Sequence, residues 1–161
     1  MRDGDLKNID LTFGRILRRG QNAVDLMARN VGDEFEIDLS AWAFPILGEL
    51  MGGPLRPSEL ARRIGIGRST VTRHLQDMES KDLVRRVKAE ADRGGIMLEL
   101  TAKGVKLAEA SENERLAELR QVLAEWSDDR VACLAALLGD LDHEMAHARV
   151  VPKHLNRDPP K

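Results

Sequence analysis

A chain of 161 residues, 42% hydrophobic and 32% charged, can bury one good core, which predicts a single helix-rich globular domain, with or without a dimerisation extension. No apolar run approaches the roughly 18–20 residues that a membrane helix needs, and no repeat of solenoid length is visible. The N-terminal MRDGDLKN lacks the apolar centre of a secretory leader and the lone Cys133 cannot close an internal disulfide, so the expectation is a cytoplasmic protein without a membrane partner.

The formal net charge of −2 is unevenly spread. Between Arg56 and Arg93 ten Lys or Arg stand against six acids, a local excess of +4, while residues 1–55 carry −3 and residues 104–150 carry −5. A basic module between acidic flanks attracts phosphate locally without making the whole surface adhesive. Ordinary solvated segments reach such an excess too, so the decision falls to the residue pattern.

Residues 6–30 place Leu6, Ile9, Phe13, Ile16, Leu17, Ala23, Val24 and Met27 at spacings of three and four, which predicts a long amphipathic helix ended by Gly32-Asp33. Ser40 is the expected N-cap of a second helix, AWAFPILGELM, almost wholly apolar and so buried. Pro45 marks either a kink or a late start there, and Gly52-Gly53-Pro54 is a break. Pro57 suits the first turn of a third helix, whose inward face is Leu60, Ala61 and Ile64. Gly65-Ile66-Gly67 makes a turn, with Ile66 plugging the core between this helix and the next.

The fourth helix divides its residues by face. Val71, Leu75 and Met78 recur at i, i+4 and i+7 and point inward. The opposite face presents Arg68, Ser69, Thr72, Arg73 and Gln76, with Thr70 and His74 nearer its edges. An ordinary surface helix carries Glu and Lys in pairs there; small hydroxyls let a helix approach base edges, and Arg takes a guanine or a phosphate. Leu83-Val84-Arg85-Arg86-Val87 then has strand character, and Ile96, Leu98 and Leu100 alternate with Met97 and Glu99 as a half-buried strand. Between them the hairpin tip AEADRGG carries Arg93, placed to enter a narrow minor groove. Thr101 caps the long charged helix that runs to Trp126, and Ser127-Asp128-Asp129 opens a last helix with Val131, Leu134, Leu138, Leu141 and Met145 along one side. The tail PKHLNRDPPK is expected to fray.

This order resembles the multiple antibiotic resistance regulator (MarR) family of dimeric winged-helix transcription regulators. The resemblance rests on Ser58-Glu59-Leu60-Ala61, Arg68-Ser69-Thr70-Val71-Thr72-Arg73, Leu83-Val84-Arg85-Arg86, Asp92-Arg93 and Leu100-Thr101-Ala102-Lys103-Gly104, in that order and spacing. It implies a mainly α fold: one MarR-like domain over 1–161, with N-terminal helices in 5–53 and a winged helix-turn-helix with a two-stranded β-wing in 54–101. C-terminal dimerisation helices in 102–150 and a flexible tail in 151–161 would complete it. It also implies that the first and last helices form a homodimer, that Arg93 enters the minor groove, and that Asp92 supports the wing by an ion pair. Asp82 departs from the family, which often has Gly at the end of the recognition helix; Asp tolerates the left-handed conformation, so a small loss of stability is expected rather than a new fold. Glu90 and Asp92 also make this wing less basic than many.

Residues 143–147 read His-Glu-Met-Ala-His, which satisfies the H-E-x-x-H zinc signature. The third ligand of the extended pattern would fall on Lys153, and the helix has an apolar stripe better suited to packing, so incidental surface histidines are preferred to a zinc hydrolase. Cys133 is expected as a small buried packing residue rather than a redox thiol. Trp42 and Phe44 are candidates for an effector pocket as well as for the core, and Arg62 and Arg63 for phosphate contact as well as for a solvated face. The reading is a DNA-binding transcription regulator, a repressor working as a homodimer on a pseudo-palindromic operator and released by a small-molecule effector. Double-stranded DNA is the partner, and Ser58, Arg68, Ser69, Thr70, Thr72, Arg73, His74, Gln76 and Arg93 are the contacting set. No catalytic residue, metal or cofactor is assigned. The alternative is a winged-helix interaction module, against which the polar Arg/Ser/Thr face counts.

Overall fold

The computed structural model describes residues 2–88 and 95–147, Ala146 by its backbone alone. In chain order the described elements are α1 (Asp3–Glu34), α2 (Ala43–Met51), α3 (Pro57–Ile64), α4 (Arg68–Ser80), β1 (Val84–Lys88), β2 (Ile96–Leu100), α5 (Ala102–Val122) and α6 (Asp128–His147). The chain divides into two compact units, Met1–Leu116 and Ala117–Lys161.

In the first unit α1 uses its apolar pattern twice. Its C-terminal part buries Met27, Ala28 and Val31 in the core, while Leu6, Ile9, Leu11, Ile16 and Leu17 stay exposed. The helix also overruns its expected stop at Gly32-Asp33. Gly32 is a packing glycine: a Cβ there would lie 2.6 Å from the Ile37 carbonyl oxygen, and the Ile37 N–H donates to the Gly32 carbonyl at 2.9 Å as the chain folds back. Glu36, at φ +55°, makes that reversal possible.

Ser40 is not the N-cap of α2. Its side chain makes no cap bond; its carbonyl instead accepts the Ala43 N–H in a preceding turn, and the helix starts at Ala43. That settles Pro45 as a late start. As the third helical residue it occupies the first turn, where an N–H has no partner within the helix to lose. Ala43, Phe44, Ile46, Leu47 and Leu50 are buried from this short element.

Pro57 opens α3, and Leu60 and Ala61 are buried beneath it. Gly65 ends the helix at φ +76°, a left-handed position where glycine carries no steric penalty. Ile64 and Ile66 pack against the core on either side of that turn. From α4 come Val71, Leu75 and Met78, each almost fully buried, as their spacing predicts.

The end of α4 is tied to the start of α5. Asp82 takes the left-handed conformation at φ +56°, and the Leu83 N–H reaches back to the Met78 carbonyl at 2.9 Å. The Thr101 hydroxyl donates to the Asp82 carbonyl at 2.5 Å and accepts the Gly104 N–H at 3.0 Å, so Thr101 caps α5 and clasps the turn together. Gly104 is required there, since a Cβ would overlap the Leu83 carbonyl oxygen.

The wing strands β1 and β2 are antiparallel, with Val84 opposite Leu100, Arg86 opposite Leu98 and Lys88 opposite Ile96. Leu98 is fully buried and Leu100 packs on the core, but Ile96 is largely exposed, so the alternation holds only towards the inner end. An additional bridge escaped the sequence reading. Leu55 and Leu98 exchange two backbone hydrogen bonds, at 3.0 and 2.8 Å, which fixes the residue before Arg56 to the sheet. Leu107, Ala108 and Ser111 of α5 complete the core.

In the second unit the helical run ends at Val122, short of Trp126, and a turn closed by the Trp126 N–H on the Leu123 carbonyl follows. The Ser127 hydroxyl accepts the Arg130 N–H at 3.4 Å at the start of α6, and the Arg130 guanidinium lies 3.7 Å over the Trp126 ring. None of the described side chains of α6 is buried in the single chain, and Cys133 is exposed rather than packed away as expected. An apolar stripe without a covering partner leaves its small residues open. Among the described residues no helix is long and apolar enough to cross a membrane.

Candidate nucleic-acid interface

The basic excess of the central segment resolves once ion pairs are drawn. Arg63 is held by Glu59 at 2.7 Å and Glu49 at 3.4 Å. Lys81 is paired with Asp77, Arg86 with Glu79, and Arg85 with Glu99, its opposite number in the β1–β2 register. Arg62, Arg68, Arg73 and Lys88 have no carboxylate partner among the described residues, and the two on α4 stand in its first and second turns. Half of these cations therefore belong to the N-terminal part of α4, with Arg62 on α3 and Lys88 at the end of β1. Arg63 is turned to other business, so the phosphate role open to it from sequence is left to Arg62.

α4 starts after Gly67, with no side-chain cap and no acid in its first turn. Ser69, Thr72, Arg73 and Gln76 are exposed along one stripe, with Arg68 exposed beside them and Thr70 half-buried at the edge. The Thr72 hydroxyl donates to the Arg68 carbonyl at 2.8 Å, which orients the side chain without a partner from outside the helix.

His74 stands elsewhere. It is 8% exposed, and its ring stacks on the Trp42 indole with centroids 5.8 Å apart. Its Nε2 is buried without a hydrogen-bond partner. Burial, and secondarily the Arg73 charge, lower its pKa against an opposing effect of Asp77. The signal for this was present in the sequence: His74 falls three residues after Val71 and four before Met78, which puts it on their face. His74 is thus withdrawn from the exposed contacting set.

Ser58, Arg68 and Thr72 come together in one cleft of about 350 Å³, joined by Arg56, Pro57, Val71, Gly95 and Ile96. Arg56, which the sequence reading counted only as a charge, was missed as a wall of this cleft. Arg93 and Asp92, the wing-tip assignments, lie outside the described residues, as does the tail expected to fray. Of the two candidate pocket aromatics, Phe44 is buried and borders a cleft with Val24, Met27, Ile64, Arg63 and Arg115. Trp42 does not line that cleft; its ring serves His74 instead. His143 and His147 lie with ring centroids 4.2 Å apart, and His147 Nδ1 is 2.7 Å from the His143 carbonyl oxygen. Among the described residues no group of three or more His, Cys, Asp or Glu is arranged to hold a metal ion.

A helix-turn-helix whose second helix is followed by a two-stranded wing defines a winged-helix protein. A model of the MarR family matches residues 37–93, which span the whole helix-turn-helix and the first wing strand, β1. The HTH-type transcriptional regulator PecS of Dickeya dadantii is 31% identical over 115 residues, covering 69% of each chain. YxaD of Bacillus subtilis, described as an uncharacterized HTH-type transcriptional regulator, is 31% identical over 86 residues, 53% of this chain and 60% of its own. Among solved structures, a MarR family protein from Bacillus stearothermophilus superposes with a TM-score of 0.69 at 24% identity, over 90% of this chain and 98% of its own. FabT of Streptococcus pneumoniae, solved in complex with DNA, gives 0.71 at 21% identity, over 89% of this chain and 99% of its own. The chain belongs to the MarR family of winged-helix transcription regulators.

Proposed function

We propose that this protein binds a pseudo-palindromic operator as a homodimer and represses transcription from it. The observation that carries the reading is the stripe of Ser69, Thr72, Arg73 and Gln76, exposed along a helix whose other face is sealed into the core. Buried anchoring makes the helix rigid, and a rigid helix can present side chains to base edges with little ordering cost. In the assigned roles Arg73 takes a guanine edge or a phosphate, Ser69, Thr70 and Gln76 read polar base edges, and Thr72 offers its methyl and hydroxyl oxygen. Arg93 at the wing tip enters the adjacent minor groove, held by Asp92. Two such helices related by a two-fold axis address half-sites roughly one turn, about 10 bp, apart. FabT, of the same fold, was solved with DNA, which supports placing this surface on a duplex.

The homodimer is supported by apolar side chains that the single chain leaves open. Leu6, Ile9, Ile16 and Leu17 on α1, and Leu137, Leu138, Leu141 and Met145 on α6, are all exposed. Release by a small molecule fits the cleft bordered by Phe44, where a bound effector would press on α2 and α3 and so on the helix-turn-helix. A coupling of about 1–3 kcal/mol would suffice to release DNA. The test is a gel-shift comparison on the DNA upstream of the gene: Arg73→Ala and Arg93→Ala should each weaken the specific complex. Unchanged affinity in both would refute the assignment.

A further inference from the structure

We propose that Trp42 and His74 are a positioning pair whose ring stack sets the roll of α4 about its own axis, and so aims Ser69, Arg73 and Gln76 at the bases. The inference rests on the DNA-binding reading and adds to it two residues that act without touching DNA.

The need for such a contact follows from how α4 is held. Val71, Leu75 and Met78 lie along one narrow line of the helix and are sealed into the core, so they fix its depth. A single line of anchors resists rotation about the helix axis poorly. A roll of about 20° moves a side-chain tip about 6 Å from the axis by roughly 2 Å, enough to break a hydrogen bond to a base edge. His74 stands roughly 60° round the helix from that line, on the flank where a contact opposes roll.

Its partner is firmly placed. The Ala43 N–H donates to the Ser40 carbonyl at 2.9 Å, and Ala43 and Phe44, the next residues after Trp42, are buried. Trp42 is therefore held between a closed turn and a sealed helix. Its ring lies 29° from the plane of the imidazole, with the centroids 5.8 Å apart. Core packing alone does not call for a histidine at this position. The Nε2 of His74 is buried without a hydrogen-bond partner among the described residues, a cost that an aliphatic side chain would avoid. What the planar ring gives in return is a directional contact with the indole.

The same arrangement makes the aim of α4 sensitive to protonation. The charges acting on His74 are Arg73, which opposes the proton, and Asp77, which favours it. Both belong to α4, while the residue before α2 contributes the uncharged indole face. A charged imidazole is better solvated outside the stack, so protonation opens the contact and frees the roll.

The experiment measures affinity of the intact protein for the DNA upstream of the gene and for a shuffled duplex, from about pH 7.5 to about pH 5. Wild type should lose its preference for the upstream DNA about ten-fold over that range, while binding to the shuffled duplex does not weaken. His74→Phe keeps a ring in the stack without a titrating nitrogen, and its preference should stay level. At about pH 7.5, Trp42→Ala should lower the preference about ten-fold and Trp42→Phe should restore most of it. In a Trp126→Phe background Trp42 is the sole indole, and its emission should change over the same pH range only while His74 is present. A preference that rises as pH falls would make His74 a phosphate contact and overturn the proposal. Trp42→Ala that binds both duplexes as wild type does, or loses both equally, would overturn it too. A wild-type protein without any preference at about pH 7.5 would overturn the DNA-binding reading itself, and that result is visible before any variant is compared.

Discussion

His74 is the side chain whose position most alters how α4 works. A neutral imidazole suits its buried place against Trp42, and a protonated one must be charged where little water reaches it. Because the folded pKa is lowered by burial first and by Arg73 second, the folded chain resists the proton that the unfolded chain accepts. Stability is therefore full above the ordinary histidine value of about 6.5, declines as pH falls through it, and levels off below the folded pKa. Thermal unfolding between about pH 7 and pH 5 should show a falling midpoint, and His74→Phe, which keeps a ring against Trp42, should remove part of that fall. An identical pH dependence in the variant would contradict this account. Gly104 offers a second residue-scale test. Gly104→Ala puts a methyl group into the Leu83 carbonyl at the clasp between α4 and α5, and should lower unfolding free energy by about 1–3 kcal/mol in a urea titration.

At the scale of elements, the ion pairs divide cations of the same type into different jobs. Arg63→Ala breaks pairs with Glu59 and Glu49 and should leave DNA affinity unchanged. Arg73→Ala removes a cation without such partners and should lower specific affinity by about 1–3 kcal/mol, as read by gel shift. Both lie in the +4 segment, and sequence alone could not separate them, because Glu49 reaches Arg63 from another helix. What was legible followed from local chemistry. The 3.6-residue period marked α4 and its buried stripe, and Pro57 and Gly65 bracketed α3. Asp82 took the left-handed turn that its short polar side chain allows. What escaped depended on contacts from afar. Gly32 read as a stop signal because nothing local reveals the Ile37 carbonyl that crowds it. Ser40 read as a cap because it stands in the right place, yet its backbone carbonyl forms a turn instead. The Leu55–Leu98 bridge and the cleft beside Arg56 are tertiary facts with no periodic signature.

For the whole molecule, the single chain leaves two apolar surfaces open, one on α1 and one on α6, and the proposed dimer accounts for both. Cys133 belongs to the same account: expected to be buried, it is exposed in one copy of the chain. Introducing a charge at Ile16 or Leu138, as Ile16→Glu or Leu138→Glu, should convert a dimer into a monomer by light scattering. Each should weaken operator binding far more than binding to a single half-site, since only linkage of the two reading helices is lost. A wild-type protein with the mass of one chain would contradict this. The central claim, that an acidic protein carries a basic reading module for duplex DNA, is tested most directly by titrating salt against its affinity for the DNA upstream of its own gene and for a shuffled duplex. The account predicts a preference for the upstream DNA and a steep loss, on the order of 10³–10⁵ between 50 and 200 mM salt if about six to ten phosphates are neutralised. Weak binding that is indifferent both to sequence and to salt would contradict it.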